Sequence, residues 1–277
     1  MNTLGVPIYD SAAPRRPLAT EIVNLWRHRR LLRLLVGRDL TVRYKRSALG
    51  AWWTLLNPLL TMLVLAAVFS NLLQARLGDT SPIVYVLSGI LVATFFAQGV
   101  QAVGSSIVNS AAVLKKVYIP PEVFAVSAAV AGAMNFLIGL VPLLIVQLLT
   151  NTGIPWTVVL IPIMVVAMLG LVAGLGLIVA SLAVVFYDVL DLSGVLIQLF
   201  SYLAPTFYPL TIVPPRFLPL VQANPLSSYL QVFRGFAYEG RFAPGWNFAV
   251  MGATSLGLLA LGVWVFHRSW RNLAVVI

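Results

Sequence analysis

The chain has 277 residues, of which 60% are hydrophobic and only 9% are charged, and it carries a formal net charge of +10. About a quarter of the residues of a soluble domain are charged, so this composition excludes an ordinary soluble protein and indicates several membrane spans. The absence of cysteine excludes disulfides and thiolate chemistry, and two histidines, His28 and His267, are too few for a histidine-rich metal site, so we expect no bound metal.

The amino-terminal region is basic. Residues 1–19 hold three prolines and no long apolar run, so we expect a flexible cytoplasmic tail rather than a signal peptide. Thr20 can cap a helix that begins at Glu21, because a carboxylate suits the positive end of a helix. Basic residues occur there with Trp and Leu, which favours an interfacial helix at 20–36 on an anionic leaflet, although a solvated basic helix would show the same pattern. The rest of segment 20–50 is rich in Arg and Lys and leads into the first apolar segment; we call it the basic shelf.

Six apolar segments follow the shelf. The first has no charge from Ala51 to Ala75 and begins with tryptophans, which prefer the headgroup level of a bilayer. The uncharged stretch from Val123 to Tyr187 is too long for one span, and the turn composition TNTGIP at 150–155 divides it. We predict an all-α transmembrane domain over residues 51–266, with six spans at 51–73, 83–104, 123–149, 156–185, 191–210 and 246–266.

The distribution of basic residues predicts the orientation. Six spans place both termini on one side, which then holds fourteen Lys and Arg residues, whereas the other side holds four. Because cytoplasmic loops retain Lys and Arg, we predict that both termini are cytoplasmic, including the tail 267–277. The residues predicted to lie outside are Arg216, Arg234, Glu239 and Arg241.

The segment before the last span is broken by prolines. Its pieces are nevertheless apolar and aromatic. Each piece is too short to cross a bilayer, which favours a re-entrant helical hairpin at 214–241 that dips into the outer leaflet. The alternative is an extracellular loop that lies on the protein.

Motifs for catalysis and ATP binding are absent from the chain. It has no G-x-x-x-x-G-K-[ST] loop, no H-E-x-x-H and no G-x-S-x-G. None of the eight acidic residues falls in the interior of a predicted span, since Asp191 is the first residue of the fifth, and this weakens the case for a proton- or sodium-coupled carrier. Gly170, Gly174 and Gly176 have the spacing that permits close packing of membrane helices.

The loop between the second and third spans is a candidate docking element. Residues 109–122 read NSAAVLKKVYIPPE, and the two lysines lie on the predicted inner side. Pro120 and Pro121 end a short helix before the third span. A rigid helix on this face could dock on a cytoplasmic partner, whereas an ordinary basic loop would satisfy the orientation rule equally well.

Three stretches are similar to a known family. They are RDLTVRYKRSALGAWW at 38–53, LKKVYIPPEVF at 114–124 and NPLSSYLQVFRGFAYEG at 224–240. Together with the order of the spans and the hairpin, they resemble the six-span permease subunits of type-2 ABC exporters, in the branch that exports polysaccharides and teichoic acids on polyprenyl lipids. One departure is Phe186-Tyr187-Asp188, where relatives often carry an Arg before the Asp.

The resemblance implies an assembly. Two copies of the permease would pair in the bacterial inner membrane above two copies of a cytoplasmic ABC ATPase. ATP and Mg would bind to that ATPase, so this chain would be a transport subunit without a cofactor and without enzyme activity. The substrate would be a glycan linked to a polyprenyl (pyro)phosphate, such as an O-antigen, a teichoic acid or a cell-wall galactan. Membrane lipid would surround the spans, and no nucleic acid is expected as a partner.

The resemblance also implies roles for particular segments and residues. The helix at 20–36 would correspond to the family's interfacial gate helix. Coupling to the ATPase would involve Leu114, Lys115, Lys116, Val117, Tyr118 and Ile119. Spans one and five would line the glycan path. Their aromatic rings could stack on the faces of sugars, and packing in the membrane belt or the core is the alternative for each ring. These channel aromatics are Trp53, Phe200, Tyr202 and Tyr208. At the inner interface the substrate phosphates would meet Arg38, Arg43, Lys45 and Arg46. Asp39 would hold one of these cations in the absence of substrate, and membrane orientation alone is the alternative explanation for all four.

Two other functions stay open at this point. A narrow, closed interface would favour export of a small amphiphile, such as a drug or a lipid, over a wide channel lined by aromatic rings. A membrane enzyme acting on polyprenyl phosphates would need acidic or histidine side chains at a membrane cavity, and Asp188 and Asp191 alone are too few.

Overall fold

The computed structural model describes residues 29–44, 56, 60, 81–116 and 119–273, and over these residues the chain forms helices and turns without a strand. The α-helices are α1 (Arg29–Tyr44), α2 (Pro82–Asn109), α3 (Ala111–Leu114), α4 (Glu122–Leu149), α5 (Ile161–Ala183), α6 (Val189–Leu203), α7 (Leu218–Ala223), α8 (Pro225–Arg234) and α9 (Gly245–Leu273). Short 3₁₀ helices lie at Trp156–Leu160 and Leu210–Ile212, and a π-helical turn lies at Gly235–Glu239. The prediction of an all-α membrane protein is confirmed for this part of the chain.

Four helices within the described ranges are long and apolar enough to cross a membrane. They are α2, α4, α5 with the 3₁₀ helix before it, and α9, which match the second, third, fourth and sixth predicted spans. The predicted first span, 51–73, lies outside the described residues except for Leu56 and Leu60. The total of six spans therefore stays a prediction.

The fifth predicted span is shorter in the structure. The prediction placed it at 191–210, whereas α6 ends at Leu203. Ala204 is extended, because the residue before a proline avoids helical backbone angles and Pro205 follows. At about 1.5 Å per residue, α6 covers roughly 22 Å, less than the 30 Å hydrocarbon core of a typical bilayer. The chain beyond Leu203 is therefore irregular where a continuous helix was expected.

The core of the molecule surrounds α2. This helix packs against α4, α5, α6 and α8. The buried ring of Phe95 lies 5.2 Å from that of Phe136 in α4, which in turn lies 5.5 Å from Phe233 in α8, measured between ring centroids. Lipid removes the hydrophobic driving force between membrane helices, so van der Waals contacts such as these contribute much of the packing energy.

Glycines allow the closest helix contacts. A Cβ atom at Gly174 of α5 would collide with the Leu258 carbonyl of α9, and one at Gly262 would collide with the backbone of Gly174. Gly176 faces α2 at a similarly short distance, and Gly170 faces α9. The predicted role of these α5 glycines in close packing is confirmed, because a small residue lets two backbones approach each other.

The helix that was predicted at the membrane interface extends beyond its predicted end. The prediction placed it at 20–36; the residues before Arg29 lie outside the described ranges, and α1 continues to Tyr44. Gly37 lies within the helix at a cost of roughly 1 kcal/mol relative to alanine. Burial of Leu35 against Phe124 at the start of α4 offsets that cost. Tertiary packing therefore continues a helix that the local sequence weakens.

The predicted hairpin contains two short helices, α7 and α8, which meet at Asn224. The Asn224 side chain accepts a hydrogen bond from the Leu226 amide at 3.0 Å and donates one to the Phe200 carbonyl at 2.7 Å. α8 packs against α2, α5 and α9, and most of its side chains are buried. α8 is therefore embedded in protein, whereas α7 is largely exposed, and the depth of the segment in the outer leaflet stays a prediction.

The helices give the molecule two ends. At one end α1 packs on the start of α4, and α3 lies beside the turn at 184–188; we call this end the shelf side. At the other end the segment 204–241 contacts the starts of α2 and of the Trp156–Leu160 helix; we call this end the hairpin side.

Candidate functional site

A cavity of about 1140 Å³ lies along α2. Its described walls come from α1, α2, α4 and α6, and Phe207 contributes from the segment after α6. Arg38 lines it on the shelf side, whereas Ile90 and Phe207 line it toward the hairpin side. Pockets for small molecules measure roughly 300–1,000 Å³, so this cavity has room for a large ligand.

The α2 wall of the cavity carries a row of polar side chains, which we call the polar stripe. It consists of Thr94, Gln98, Gln101, Ser105 and Asn109. These residues are three or four positions apart, so they share one face of the helix and extend along it for roughly 22 Å. Polar side chains in a membrane helix are costly unless they face protein or water, so this face is suited to polar contacts.

Hydrogen bonds join the polar stripe to α6. Gln101 Nε2 donates to the Leu190 carbonyl at 2.8 Å, and Ser193 Oγ donates to Gln101 Oε1 at 3.1 Å. Farther along the same wall, Gln198 Nε2 donates to the Tyr202 hydroxyl at 2.9 Å. These bonds hold α6 against α2 and leave Gln198 and Tyr202 side by side on the cavity wall.

Arg38 is the predicted phosphate-binding residue whose side chain the structure describes. It lines the cavity, and its Nη2 and Nε donate to Asp39 Oδ1 at 2.8 and 3.0 Å. The two side chains are 48% and 29% exposed. The expected contact between Asp39 and a cation is therefore present. The side chains of Arg43, Lys45 and Arg46 lie outside the described part of the chain, and phosphate binding stays a prediction.

The predicted channel aromatics have different surroundings. Tyr202 lines the cavity, and its ring centroid lies 6.3 Å from that of Phe207. Phe200 is half exposed on another face of α6, because two residues correspond to more than half a helical turn. The Tyr208 hydroxyl donates to a backbone carbonyl at the end of α6 at 2.8 Å. Trp53 lies outside the described ranges, and a channel role for each of these rings stays a prediction.

The predicted coupling segment divides into two faces. Its helical part, α3, is one turn long. Leu114 and Ile119 pack toward α1, so they stabilise the shelf side from within. The exposed members are Asn109, which lines the cavity, and Ala112, Val113, Lys115 and Lys116. Val117 and Tyr118 lie outside the described residues.

The polar stripe is a feature that sequence analysis missed. Its signal is present, because Thr, Gln, Gln, Ser and Asn recur at helical spacing within an apolar segment. The prediction ended the second span at residue 104, whereas α2 continues to Asn109. The last members of the stripe were thus assigned to a loop, and their common face with Gln98 was not apparent.

Comparison with known proteins places this architecture in a family. The model of the ABC-2 type transporter family matches residues 30–238. An O-antigen export system permease protein RfbA from Myxococcus xanthus is 30% identical over 253 residues, which cover 91% of this chain and 96% of the relative. Two O-antigen export system permease proteins RfbA from Klebsiella pneumoniae are 24% and 25% identical, over 86% and 76% of this chain and 91% and 81% of the relatives. The chain therefore belongs to the ABC-2 type transporter family.

Proposed function

We propose that this chain is the membrane-spanning permease subunit of an ATP-driven exporter for a polysaccharide carried on a polyprenyl (pyro)phosphate. The relatives from M. xanthus and K. pneumoniae are named as permeases of O-antigen export systems, and the similarity covers most of this chain. An O-antigen, a teichoic acid or a cell-wall galactan would suit such an exporter.

The polar stripe is the observation that carries the proposal. Sugars present many hydroxyl groups, and amide and hydroxyl side chains can both donate hydrogen bonds to them and accept hydrogen bonds from them. A row of amides would be unfavourable in a path for an apolar drug or lipid, because an amide that faces apolar groups loses its hydrogen bonds to water and this costs free energy. The cavity of about 1140 Å³ that the stripe lines therefore suits a glycan better than a small amphiphile.

The shelf end of the cavity suits the phosphate part of the substrate. Arg38 is half exposed there, and Arg43, Lys45 and Arg46 follow in the sequence. A guanidinium group can donate two hydrogen bonds to a phosphate, so Arg is well matched to a (pyro)phosphate between a lipid tail and a sugar chain. The polyprenyl tail would lie in the surrounding membrane lipid.

The proposed assembly contains two copies of this chain and two copies of an ABC ATPase, in the bacterial inner membrane with both termini in the cytoplasm. ATP and Mg bind to the ATPase. The exposed residues Val113, Lys115 and Lys116 supply a docking face on the shelf side. Fourteen of the eighteen basic residues fall on the cytoplasmic side in this arrangement, which supports the orientation.

Substitution of stripe amides by leucine tests the proposal. Proteoliposomes would hold the permease with its ATPase and a radiolabelled polyprenyl-linked glycan, and ATP-dependent movement of the glycan into the lumen would be measured by protection from added glycosidase. We expect the double variant Gln98→Leu and Asn109→Leu to move glycan about thirtyfold more slowly, since each of the two lost hydrogen bonds removes roughly 1 kcal/mol.

Gln222→Leu is the matched control, because Gln222 is exposed on α7 and is not part of the described cavity wall. Wild-type glycan movement in the double variant would contradict the assignment of the stripe. ATP-dependent movement of a small amphiphile without movement of any lipid-linked glycan would instead identify a small-amphiphile exporter.

A further inference from the structure

Arg234, at the end of α8, is a buried arginine that is only 4% exposed. It donates five hydrogen bonds. Nε donates to Ser88 Oγ at 3.3 Å, and Nη1 donates to the Tyr85 hydroxyl and the Pro205 carbonyl, each at 2.8 Å. Nη2 donates to the carbonyls of Tyr85 at 3.3 Å and Thr206 at 3.1 Å. A guanidinium has five N–H donors, so its hydrogen-bonding capacity is fully used.

The acceptors around Arg234 are neutral. Within the described part of the chain Arg234 forms no salt bridge. Its positive charge is stabilised by the dipoles of the acceptors and by the face of the Tyr85 ring, whose centroid lies 3.6 Å from Cζ of Arg234. A cation–π contact is strongest where water is excluded, as it is here. Lysine has three donors on a single nitrogen and cannot reproduce this pattern. The site therefore requires arginine for its geometry and not only for its charge.

The five bonds join three parts of the chain, and we call the group Tyr85, Ser88, Pro205, Thr206 and Arg234 the clasp. Tyr85 and Ser88 belong to α2, Pro205 and Thr206 to the irregular segment after α6, and Arg234 to α8. The Tyr85 hydroxyl also donates to the Tyr208 carbonyl at 2.8 Å. A Cβ at residue 89 would collide with the Thr206 carbonyl oxygen, so glycine is needed there for the segment to approach α2.

The clasp lies next to the hairpin-side end of the cavity. Among the α2 residues that line the cavity, Ile90 is the one nearest to Pro82. The residues before it, Tyr85 and Val86, are buried in a cluster on which Phe207 packs. Phe207, directly after Thr206, therefore lies where the cavity ends, beside the ring of Tyr202.

We propose that Arg234 is a positioning residue that keeps the hairpin-side end of the cavity closed. It holds Pro205 and Thr206 against α2, and this seats Phe207 across the end of the cavity. The inference rests on the proposed function in treating the cavity as the export path and its hairpin-side end as the outer end. Five hydrogen bonds to one side chain make the clasp a stable support, so we expect this end of the cavity to be closed when no glycan is being exported.

Thiol labelling tests this closure, because the chain has no cysteine of its own. Ala93 lines the cavity close to its hairpin-side end, so Ala93→Cys provides a reporter. The labelling rate by a membrane-impermeant maleimide added outside intact cells would be compared in the full permease–ATPase complex. We expect Arg234→Lys to raise the rate about tenfold, the factor that corresponds to one lost hydrogen bond to a charged group, and Arg234→Met, which removes all the donors, to raise it further.

Two further variants and a control complete the test. Tyr85→Phe keeps the ring and removes the hydroxyl, so it should raise the rate by a smaller factor, and Phe207→Ala should raise it with the clasp intact. Arg216→Met, at an exposed arginine on the same side, should leave the rate unchanged. Each rate is normalised to the amount of chain in the membrane, so a purely structural role would lower that amount without changing the rate per molecule.

Unchanged labelling in Arg234→Lys at normal membrane levels would overturn the proposal. If neither Arg234 variant reaches the membrane, Tyr85→Phe and Phe207→Ala decide, and an unchanged rate in either one overturns it. No glycan is used in this assay. Faster labelling in the clasp variants combined with no glycan movement by the wild-type complex would therefore reject the proposed function and leave the closure in place.

Discussion

At the scale of single residues, the Arg38–Asp39 pair shows how a cation can be oriented and still available to a ligand. The Nη2–Oδ1 distance is 2.8 Å, but both side chains are partly exposed. Exposed ion pairs contribute only about 0–1 kcal/mol, so a phosphate oxygen can replace the Asp39 carboxylate at small cost. The planar guanidinium would then donate two hydrogen bonds to the phosphate.

Arg38→Lys separates phosphate binding from membrane orientation. Lysine retains the charge, and hence the topology, but loses the planar pair of donors. We expect about tenfold slower export with normal membrane insertion, since a hydrogen bond to a charged group contributes roughly 1.5–3 kcal/mol. The measurement is ATP-dependent glycan movement in proteoliposomes at equal amounts of permease.

Arg216→Lys is the control for this substitution, because Arg216 is exposed on the hairpin side and lies over the ring of Phe217 rather than at the cavity. Arg43→Lys and Arg46→Lys extend the series to the other predicted arginines. Wild-type export by Arg38→Lys, Arg43→Lys and Arg46→Lys would show that these residues serve orientation only.

At the scale of elements, α2 has two functional faces. One face packs its apolar side chains against α4, α5 and α8, and the other carries the polar stripe. The buried face fixes the helix rigidly in the core, so the stripe is presented in a constant orientation. Close packing of the surrounding helices, such as α5 on α9 at Gly262, is therefore a condition for the geometry of the cavity.

Gly262→Leu should disrupt the contact between α5 and α9. The added side chain meets the backbone of Gly174, which has no room to move, so we expect a loss of roughly 1–3 kcal/mol of stability. The midpoint of thermal unfolding in detergent would report this loss. Gly257→Leu in the same helix is the control, because a Cβ there has no neighbour within 4 Å. Equal midpoints for the two variants would show that this interface tolerates a larger separation.

The two faces of the coupling segment predict different effects of substitution. Val113 is 39% exposed on the shelf side, so Val113→Asp should weaken co-purification of the ATPase. Lys116→Ala should have a smaller effect, because a charge at the rim of an interface contributes little. Leu114→Ala should lower stability rather than association, since Leu114 packs toward α1. Normal ATPase binding by Val113→Asp would exclude this face as the docking site.

At the scale of the whole molecule, the two ends differ in charge and in polar contacts. The shelf side exposes Arg38, Lys115 and Lys116. On the hairpin side Arg241 is 74% exposed and pairs with Glu239, and a hydrogen bond to that carboxylate raises the pKa of Arg241. An asymmetry of this kind orients a membrane protein with its basic side in the cytoplasm.

Cysteine labelling would measure the orientation directly. We expect Arg241→Cys to react with an impermeant maleimide from outside intact cells, and Lys116→Cys to react only after the membrane is permeabilised. Both side chains are exposed, so neither reaction is limited by burial. Labelling of residue 241 from the cytoplasmic side alone would reverse the topology proposed for the molecule.

The local sequence alone was sufficient to locate the four long helices that the structure describes, although the second was predicted to end too early. α4 begins one residue before its predicted start at 123 and ends at its predicted end, Leu149. Its length follows from an uncharged apolar run, and its two ends are set by neighbouring residues, the prolines before it and the TNTGIP turn after it. The family could also be recognised from three short stretches. These features depend on the order of residues along the chain, so no knowledge of distant contacts was needed.

Other features depended on which distant residues meet. The sequence could predict Arg234 to be one of four basic residues on the outer side, but not that its side chain is buried, because its partner Tyr85 lies 149 residues earlier. The end of α6 before Pro205 and the helical spacing of the polar stripe have signals in the local sequence, whereas the hydrogen bond from Gln101 to α6 became visible only in the tertiary structure. Hydrophobic length and turn composition act locally and can be predicted from the chain, whereas the burial of a polar group is decided by acceptors that only the tertiary structure brings to it.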